Sequence, residues 1–152
     1  MQEAGIYARE SAYLDCVVQV GFAGGKVISF SFPSIPDDNA EQDGSLLDRV
    51  DRYLEGAHDS FEDVEVGLTV PTRQRAVLEA LRNVPYGEQV SVERLARLTP
   101  DLDPEDEEDL ELVRTALAEN PIPLIIPDHR VRDGPSAAPP DIEQKLRSLE
   151  GL

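Results

Sequence analysis

Three prolines interrupt the apolar run PIPLIIP at residues 121–127, and this spacing limits the backbone more than any other feature of the chain. Proline has no backbone N–H and fixes φ near −65°, so the segment cannot form a regular helix. We therefore predict a largely extended segment over PIPLIIPDHRVRDG. The run leads directly into Asp128, His129 and Arg130. An acid, an imidazole and a guanidinium behind apolar backbone are typical of a functional site or of its remnant.

Apolar residues at helical spacing surround this segment. The predicted helices are, in order, PTRQRAVLEALRNV, the short SVERLARL, DLELVRTALAEN and PPDIEQKLRSLEGL. Ser91 is expected to cap the second helix, and an acidic loop precedes the third. Helix, turn, short helix, loop, longer helix and extended wing form the outline of a winged helix-turn-helix.

The first half of the chain has a different pattern. DCVVQVGF and VISFSF, joined by AGGK, predict a β-hairpin in which Ile28 and Phe30 share a face. SLLDRVDRYLEG predicts a helix that Ser45 caps and Gly56 ends, and DVEVGLTV predicts a further short strand. The predicted fold class is therefore α+β. A small N-terminal α/β subdomain is expected over 1–70, followed by a winged helix-turn-helix domain of the DNA-binding type over 71–152.

The charge balance is strongly acidic. The chain carries 31 acidic and 14 basic side chains, only two of them lysines, and its formal net charge is −17. Such an excess repels itself in dilute salt, whereas molar salt shortens the screening length to about 3 Å. We interpret this as the surface of a halophilic protein from a salty cytoplasm. An acidic binding protein from an ordinary cell is the alternative.

Several classes of protein and site are excluded or disfavoured. One cysteine, Cys16, permits neither an internal disulfide nor a cysteine-based metal cluster, and its place in an alternating strand indicates a core residue rather than a reactive thiol. A metal site built from Asp128, His129 and Glu150 is disfavoured, because adjacent residues rarely aim at one ion. No membrane-length apolar stretch or signal peptide is visible. We expect a cytoplasmic protein with no cofactor, metal or membrane contact.

Four stretches, in order, carry a resemblance to a known family. RQRAVLEALRNVPYGEQVS, LARL, ENPIPLIIPDHRV and the final LEG are similar to the C-terminal domain of the methylated-DNA–protein-cysteine methyltransferases, the alkylguanine-DNA alkyltransferases. The resemblance covers about half of the chain. It implies a domain that docks on DNA and swings a damaged guanine into a pocket. There, the cysteine of a Pro-Cys-His-Arg motif takes the alkyl group irreversibly.

The resemblance assigns roles residue by residue. His129, Asn120 and Glu150 match the residues that assist the cysteine in the family. The framework of the site is matched by Pro121, Pro123, Pro127 and Arg130. Asp128 stands where the acceptor cysteine is expected. The resemblance therefore implies a site whose frame remains and whose nucleophile is gone.

Other departures fall on positions that the resemblance links to DNA. Val92 stands where the family has a tyrosine that helps to turn out the nucleotide, and Glu111 stands where it has an intercalating arginine. Arg114 and Thr115 replace a glycine pair that permits close approach to DNA. PSAAPPD replaces the glycine-rich segment that closes the pocket, and the loop at 101–109 is rich in acids.

These patterns lead to three functional hypotheses. The first is a divergent homologue, related in outline to the alkyltransferase-like proteins, that binds DNA or senses alkylguanine for DNA repair without methyl transfer. The second is a protein-interaction or structural module that kept the fold and no longer binds DNA. The third is transfer to Asp128 itself. For Asp128, a polar remnant paired with His129 or Arg130 is favoured over a working pocket.

The expected partners follow from these hypotheses. Duplex DNA is expected to bind weakly, with Arg94, Arg97 and Arg114 as the candidate contacts. A repair or regulatory protein is the second candidate partner.

The acidic surface predicts a salt-dependent fold, because self-repulsion is unscreened in dilute buffer. We expect the Tm to rise between low and molar potassium chloride, measured by thermal unfolding monitored by circular dichroism. A Tm that stays level or falls would favour an acidic binding surface instead.

Overall fold

The computed structural model describes residues 4–152 as an antiparallel sheet followed by helices. The sheet has the order β1-β2-β3, and one turn of 3₁₀ helix precedes the last α-helix. The elements are β1 (Gly5–Ser11), β2 (Cys16–Ala23), β3 (Lys26–Ser31), α1 (Ser45–Leu54), α2 (Thr72–Leu81), α3 (Val92–Leu98), α4 (Glu107–Ala118), the 3₁₀ turn (Asp128–Arg130) and α5 (Pro140–Leu149). The α+β class predicted from the sequence is confirmed. Within 4–152, no helix is both long and apolar enough to cross a bilayer.

The hairpin of β2 and β3 forms as predicted, around Gly24 and Gly25. Both glycines have positive φ, +58° and +77°, as a two-residue turn between twisted strands requires. The position of Ile28 was predicted wrongly, since its side chain is 41% exposed. The pairing with β2 shifts between Gly21 and Phe22, which leaves Ile28 without a partner in β2. The alternation of side chains between the two faces of the sheet is therefore interrupted at Ile28. The sequence pattern also missed β1, whose polar GIYARES pairs with β2 from Cys16 to Phe22.

Two further predictions in the first half need correction. Ser45 is the first residue of α1, and Gly44 is its N-cap. Gly56 ends this helix as predicted, with φ at +109°. The segment DVEVGLTV is not a strand; Val66 forms only an isolated bridge with Val27 of β3. This bridge nevertheless ties the segment to the edge of the sheet.

The helices of the second half form at the predicted places. The hydroxyl of Ser91 accepts a hydrogen bond from the amide of Arg94 at 3.0 Å, which confirms the cap of α3. Asp106 caps α4 in the same way, through the amide of Glu108. Helices α2, α3 and α4 pack against one another. Residues 71–152 therefore contain a three-helix unit, and the winged helix-turn-helix label stays an interpretation of it.

The prediction of an extended segment after α4 was wrong. The side chain of Asn120 accepts a hydrogen bond from the amide of Ile122 and donates one to the carbonyl of Ile126, both at 3.0 Å. These bonds fold the chain into a compact turn, in which Leu124 has a φ of +75°. Proline excludes a helix here, but it does not require extension once a side chain supplies the missing turn bonds.

One hydrophobic cluster joins both halves of the chain. It includes Val20 of β2, Leu78 of α2 and Ile125 of the turn, each at most 1% exposed. A backbone hydrogen bond of 3.0 Å also runs from the amide of Phe30 to the carbonyl of Pro121. The predicted boundary between 1–70 and 71–152 therefore crosses a shared core, and the division into two domains stays a prediction.

Gly134 lies where there is little space for a side chain. An added Cβ would lie 2.7 Å from Cδ1 of Leu117 and 3.1 Å from methyl groups of Val92 and Val131. We expect Gly134→Ala to lower the free energy of unfolding by about 1–3 kcal/mol in urea denaturation. Gly24→Ala is the comparison. Alanine at Gly24 would strain the backbone, because φ is positive there, but its Cβ would have no atom of a non-neighbouring residue within 4 Å. Unchanged stability of Gly134→Ala would contradict this packing.

Candidate functional site

The five residues predicted as the site remnant lie together beneath the surface. Asp128, His129 and Arg130 form the 3₁₀ turn, Asn120 follows α4, and Glu150 follows α5. None of the five is more than 7% exposed. The fold therefore brings together residues that lie up to 30 positions apart in the sequence.

Glu150 is the centre of this cluster. Its Oε1 accepts hydrogen bonds from Nε of Arg130 at 2.8 Å and from the amide of Gly87 at 3.0 Å. Its Oε2 lies 2.6 Å from Nε2 of His129 and accepts from Nη2 of Arg130 at 3.1 Å. The hydroxyl of Tyr53, on α1, donates to the same oxygen at 2.5 Å. A buried carboxylate of this kind is stable only because each of its oxygens has charged or strongly polar donors.

The protonation states follow from this geometry. Burial alone would raise the pKa of Glu150, but the hydrogen bonds from His129 and Arg130 outweigh it and hold the pKa well below the usual range. Burial, and then the charge of Glu150, raise the pKa of Tyr53 far above its ordinary value. Glu150 is therefore ionised and Tyr53 is a protonated donor.

Asp128 has a separate set of partners. Its Oδ1 accepts from the hydroxyl of Ser136 at 2.5 Å, and its Oδ2 accepts from the amide of Ala137 at 2.9 Å and from Nδ2 of Asn120 at 3.0 Å. The prediction that Asp128 pairs with His129 or Arg130 was wrong. Glu150 binds both of those side chains, and Asp128 binds Asn120 and the loop at 136–137 instead.

Burial opposes the charge of Asp128. The residue is only 1% exposed, and this burial raises the pKa of its carboxyl. The hydrogen bonds from Ser136, Ala137 and Asn120 act in the opposite direction and lower that pKa. A surface concavity of about 350 Å³ lies nearby, lined by Phe30, Ser31, Phe32, Pro33, Asn120, Pro123, Ala137 and Pro139. Asp128 does not line this concavity, although it binds Asn120 and Ala137, which do. Its carboxylate therefore fastens the segment at 136–137 to the residues that follow α4.

Sequence reasoning missed several members of the cluster. Tyr53 fits an apolar helix stripe, so nothing in the sequence indicates that its hydroxyl reaches Glu150. Ser136 and Ala137 lie in the segment that replaces the glycine-rich motif of the family, and nothing in that segment indicates that they bind Asp128.

Glu143, half-buried on α5, has a pKa raised by burial and by the charge of Asp128. Within 4–152, Nδ1 of His129 has no hydrogen-bond partner.

The candidate DNA contacts differ from one another in their pairing. Arg114 on α4 donates to Glu107 at 3.3 Å and to Glu111 at 3.2 Å. Arg97 on α3 lies 3.5 Å from Glu93. Arg94 is exposed, and its guanidinium forms no ion pair among the described residues. Among residues 4–152, no group of three or more acidic, histidine or cysteine side chains is arranged for a metal ion.

Cys16 lies in β2 and is not a member of this cluster. It is half-buried and packs against the hydrophobic core. Burial raises the pKa of its thiol, and Asp141 and Asp15 act in the same direction, whereas Lys145 opposes them. Because the thiolate is the nucleophilic form, these surroundings lower the reactivity of Cys16.

The cluster around Glu150 predicts a large loss of stability when the side chain of Glu150 is truncated. Glu150→Ala would leave the guanidinium of Arg130 buried without its carboxylate, so we expect a loss of about 3–5 kcal/mol in the free energy of unfolding. Glu88→Ala, in the adjacent exposed turn, is the control. A loss typical of an exposed ion pair, about 1 kcal/mol or less, would contradict this assignment.

The same cluster predicts that the free energy of unfolding depends on pH. A carboxyl whose pKa is depressed on folding stabilises the fold above its ordinary pKa, here 4.5, and this contribution is lost as the pH falls below that value. The difference in unfolding free energy between the wild type and Glu150→Gln should therefore shrink as the pH falls below 4.5. A constant difference across this range would show that Glu150 is not the titrating group.

Comparisons with known proteins identify the family of the chain. The family model described as "6-O-methylguanine DNA methyltransferase, DNA binding domain" matches residues 72–150. The methylated-DNA–protein-cysteine methyltransferase of Methanopyrus kandleri is 34% identical over 108 residues, covering 70% of this chain and 77% of that protein. The enzyme of the same name from Metallosphaera sedula is 27% identical over 133 residues, covering 83% and 81%.

Solved structures share the fold. The O6-methylguanine-DNA methyltransferase of Pyrococcus kodakaraensis strain KOD1 has a TM-score of 0.71 at 20% identity, covering 97% of this chain and 100% of that one. OGT of Mycobacterium tuberculosis, in complex with DNA, has a TM-score of 0.70 at 22% identity, covering 97% and 91%. From the family model and the relative from Methanopyrus kandleri, the chain belongs to the methylated-DNA–protein-cysteine methyltransferase family.

Proposed function

We propose that this protein is a member of the family that binds duplex DNA without transferring a methyl group. The observation that carries the proposal is the engagement of Asp128, which stands at the position expected for the acceptor cysteine. Both of its oxygens accept hydrogen bonds, and the residue is 1% exposed. We further propose that this role belongs to DNA repair in a salt-rich cytoplasm.

Asp128 is poorly suited to accept an alkyl group. A carboxylate is a weaker nucleophile than a thiolate toward an alkyl carbon, and an attacking oxygen would first have to leave Ser136 or the pair formed by Asn120 and Ala137. The remaining thiol, Cys16, lies on β2 with a pKa raised by burial. Neither group supports a transfer reaction at this site.

Duplex binding should be weak at ordinary salt. The first turn of α4 carries Glu107, Glu108 and Asp109, and the N-cap before it is Asp106. Arg114 is the only cation on this helix, and two of the neighbouring carboxylates already bind it. Binding to phosphate depends on cations that release counterions from the duplex, and such cations are scarce on this face.

The acidic face of α4 also favours a second candidate function, a protein-interaction module that has kept the fold. Glu107 and Glu111 are 81% and 67% exposed even while they bind Arg114. A repair or regulatory protein with a basic surface would suit this helix better than DNA. The two candidates differ in what they predict for a bare duplex.

The test combines intact-mass measurement with a titration of labelled duplex, with and without one alkylated guanine. We expect no mass increase on the protein, a Kd of about 10 μM or weaker at about 0.15 M salt, and little preference for the lesion. A family enzyme that carries the acceptor cysteine is the positive control for transfer.

Each contrary outcome has a distinct meaning. A gain of one alkyl group at Asp128 would reject the absence of transfer. The protein would be a lesion sensor if it bound the alkylated duplex about tenfold or more tightly than the unmodified duplex, and if Arg114→Ala weakened that binding. No detectable duplex binding at any salt would leave the interaction module as the function.

A further inference from the structure

Most arginines of this protein are already engaged, which makes the free ones informative. Among residues 4–152, nine arginines direct their guanidinium groups to a carboxylate or an oxygen acceptor: Arg9, Arg49, Arg73, Arg75, Arg82, Arg97, Arg114, Arg130 and Arg147. Arg52, Arg94 and Arg132 have no such partner in this part of the chain. In a chain with a net charge of −17, acids are abundant, so an unpaired arginine is unusual.

Two of these three arginines lie on segments that are hydrogen-bonded to each other, one at the start of α3 and one after the 3₁₀ turn. The amide of Arg132 donates to the carbonyl of Val90 at 2.9 Å, just before α3 begins. The next residue, Asp133, accepts from the amide of Val92 at 2.7 Å. Arg94 is the third residue of α3. The segment that carries Arg132 is thus fastened to the first turn of the helix that carries Arg94, and both arginines are exposed.

The acids beside this pair are occupied. Asp133 is bound to the backbone of α3, and Glu93 lies 3.5 Å from Arg97. A phosphate approaching Arg94 or Arg132 would not have to displace a carboxylate from either guanidinium. On α4, in contrast, Arg114 would have to leave both Glu107 and Glu111. A free guanidinium offers a phosphate two parallel N–H donors.

We propose that Arg94 and Arg132 form the phosphate-binding edge of this protein, and that the duplex backbone rests on the start of α3 and the adjoining segment rather than on the acidic face of α4. This rests on the proposed function, since it names the surface that the bound duplex contacts. Arg97, predicted from the sequence as a contact, is bound to Glu93 and has a smaller part in it.

The experiment measures duplex affinity as a function of salt for two double variants. Arg94→Gln/Arg132→Gln removes the proposed contacts. Arg52→Gln/Lys26→Gln is the matched control, because it removes the same charge from two exposed residues of the first half, on α1 and β3. Thermal unfolding of both variants verifies that the fold is retained.

The slope of log affinity against log salt should become shallower by about 0.9 for each phosphate that the protein no longer neutralises. We expect a change of about 1.8 for the first variant and almost none for the control. Equal slopes in the two variants, with wild-type binding intact, would overturn this inference and leave the proposed function standing. If the wild type binds no duplex at any salt, the proposed function is rejected, and this edge with it.

Discussion

The buried carboxylate of Glu150 is the interaction on which the rest of the structure depends. An isolated ion in such a place would cost several kcal/mol, and this one persists because its partners come from three parts of the chain. Tyr53 comes from the first half, Gly87 from the turn after α2, and His129 and Arg130 from the 3₁₀ turn. The position of each element is therefore coupled to the position of the others.

Pattern and motif predicted the helices and the membership of the cluster. Periodic apolar residues are a local signal, so α2, α3, α4 and α5 were found with their approximate ends. The resemblance of four short stretches to the methyltransferase family implied that Asn120, Asp128, His129 and Glu150 belong to one site. That resemblance rests on residue type and order alone.

The parts that were not predictable depend on contacts between distant residues. The strand β1 is polar, and only its pairing with β2 shows why it forms. The partners of Asp128 could not be chosen from the sequence, because they depend on Glu150 binding both His129 and Arg130. Likewise, the turn after α4 exists because the side chain of Asn120 replaces missing backbone bonds. In each case a tertiary hydrogen bond overrides a local preference.

Charge has a second role in this molecule. The arginines act mainly as internal counterions: Arg49 binds Asp59 and Asp63, and Arg9 binds Asp48 and Asp51. These pairs hold α1 to its loop and to the sheet while they neutralise part of the acidic surface. The chain therefore has few unpaired cations left to bind a polyanion such as DNA. For such binding, the location of these cations matters more than their number.

The hydrogen bond from Tyr53 to Glu150 joins residues 97 positions apart, and that from Tyr13 to the carbonyl of Lys145 spans 132. Contacts of such length form late, because the intervening chain must first become ordered. A form in which only residues 71–152 were folded would lack the hydroxyl that Tyr53 donates to Glu150 and the part of the shared core that the first half supplies. Such a form is therefore expected to be less stable than the whole chain. The two halves are consequently expected to fold and unfold as a single cooperative unit, and exposure of the chain to proteases in the cell would follow global rather than local opening.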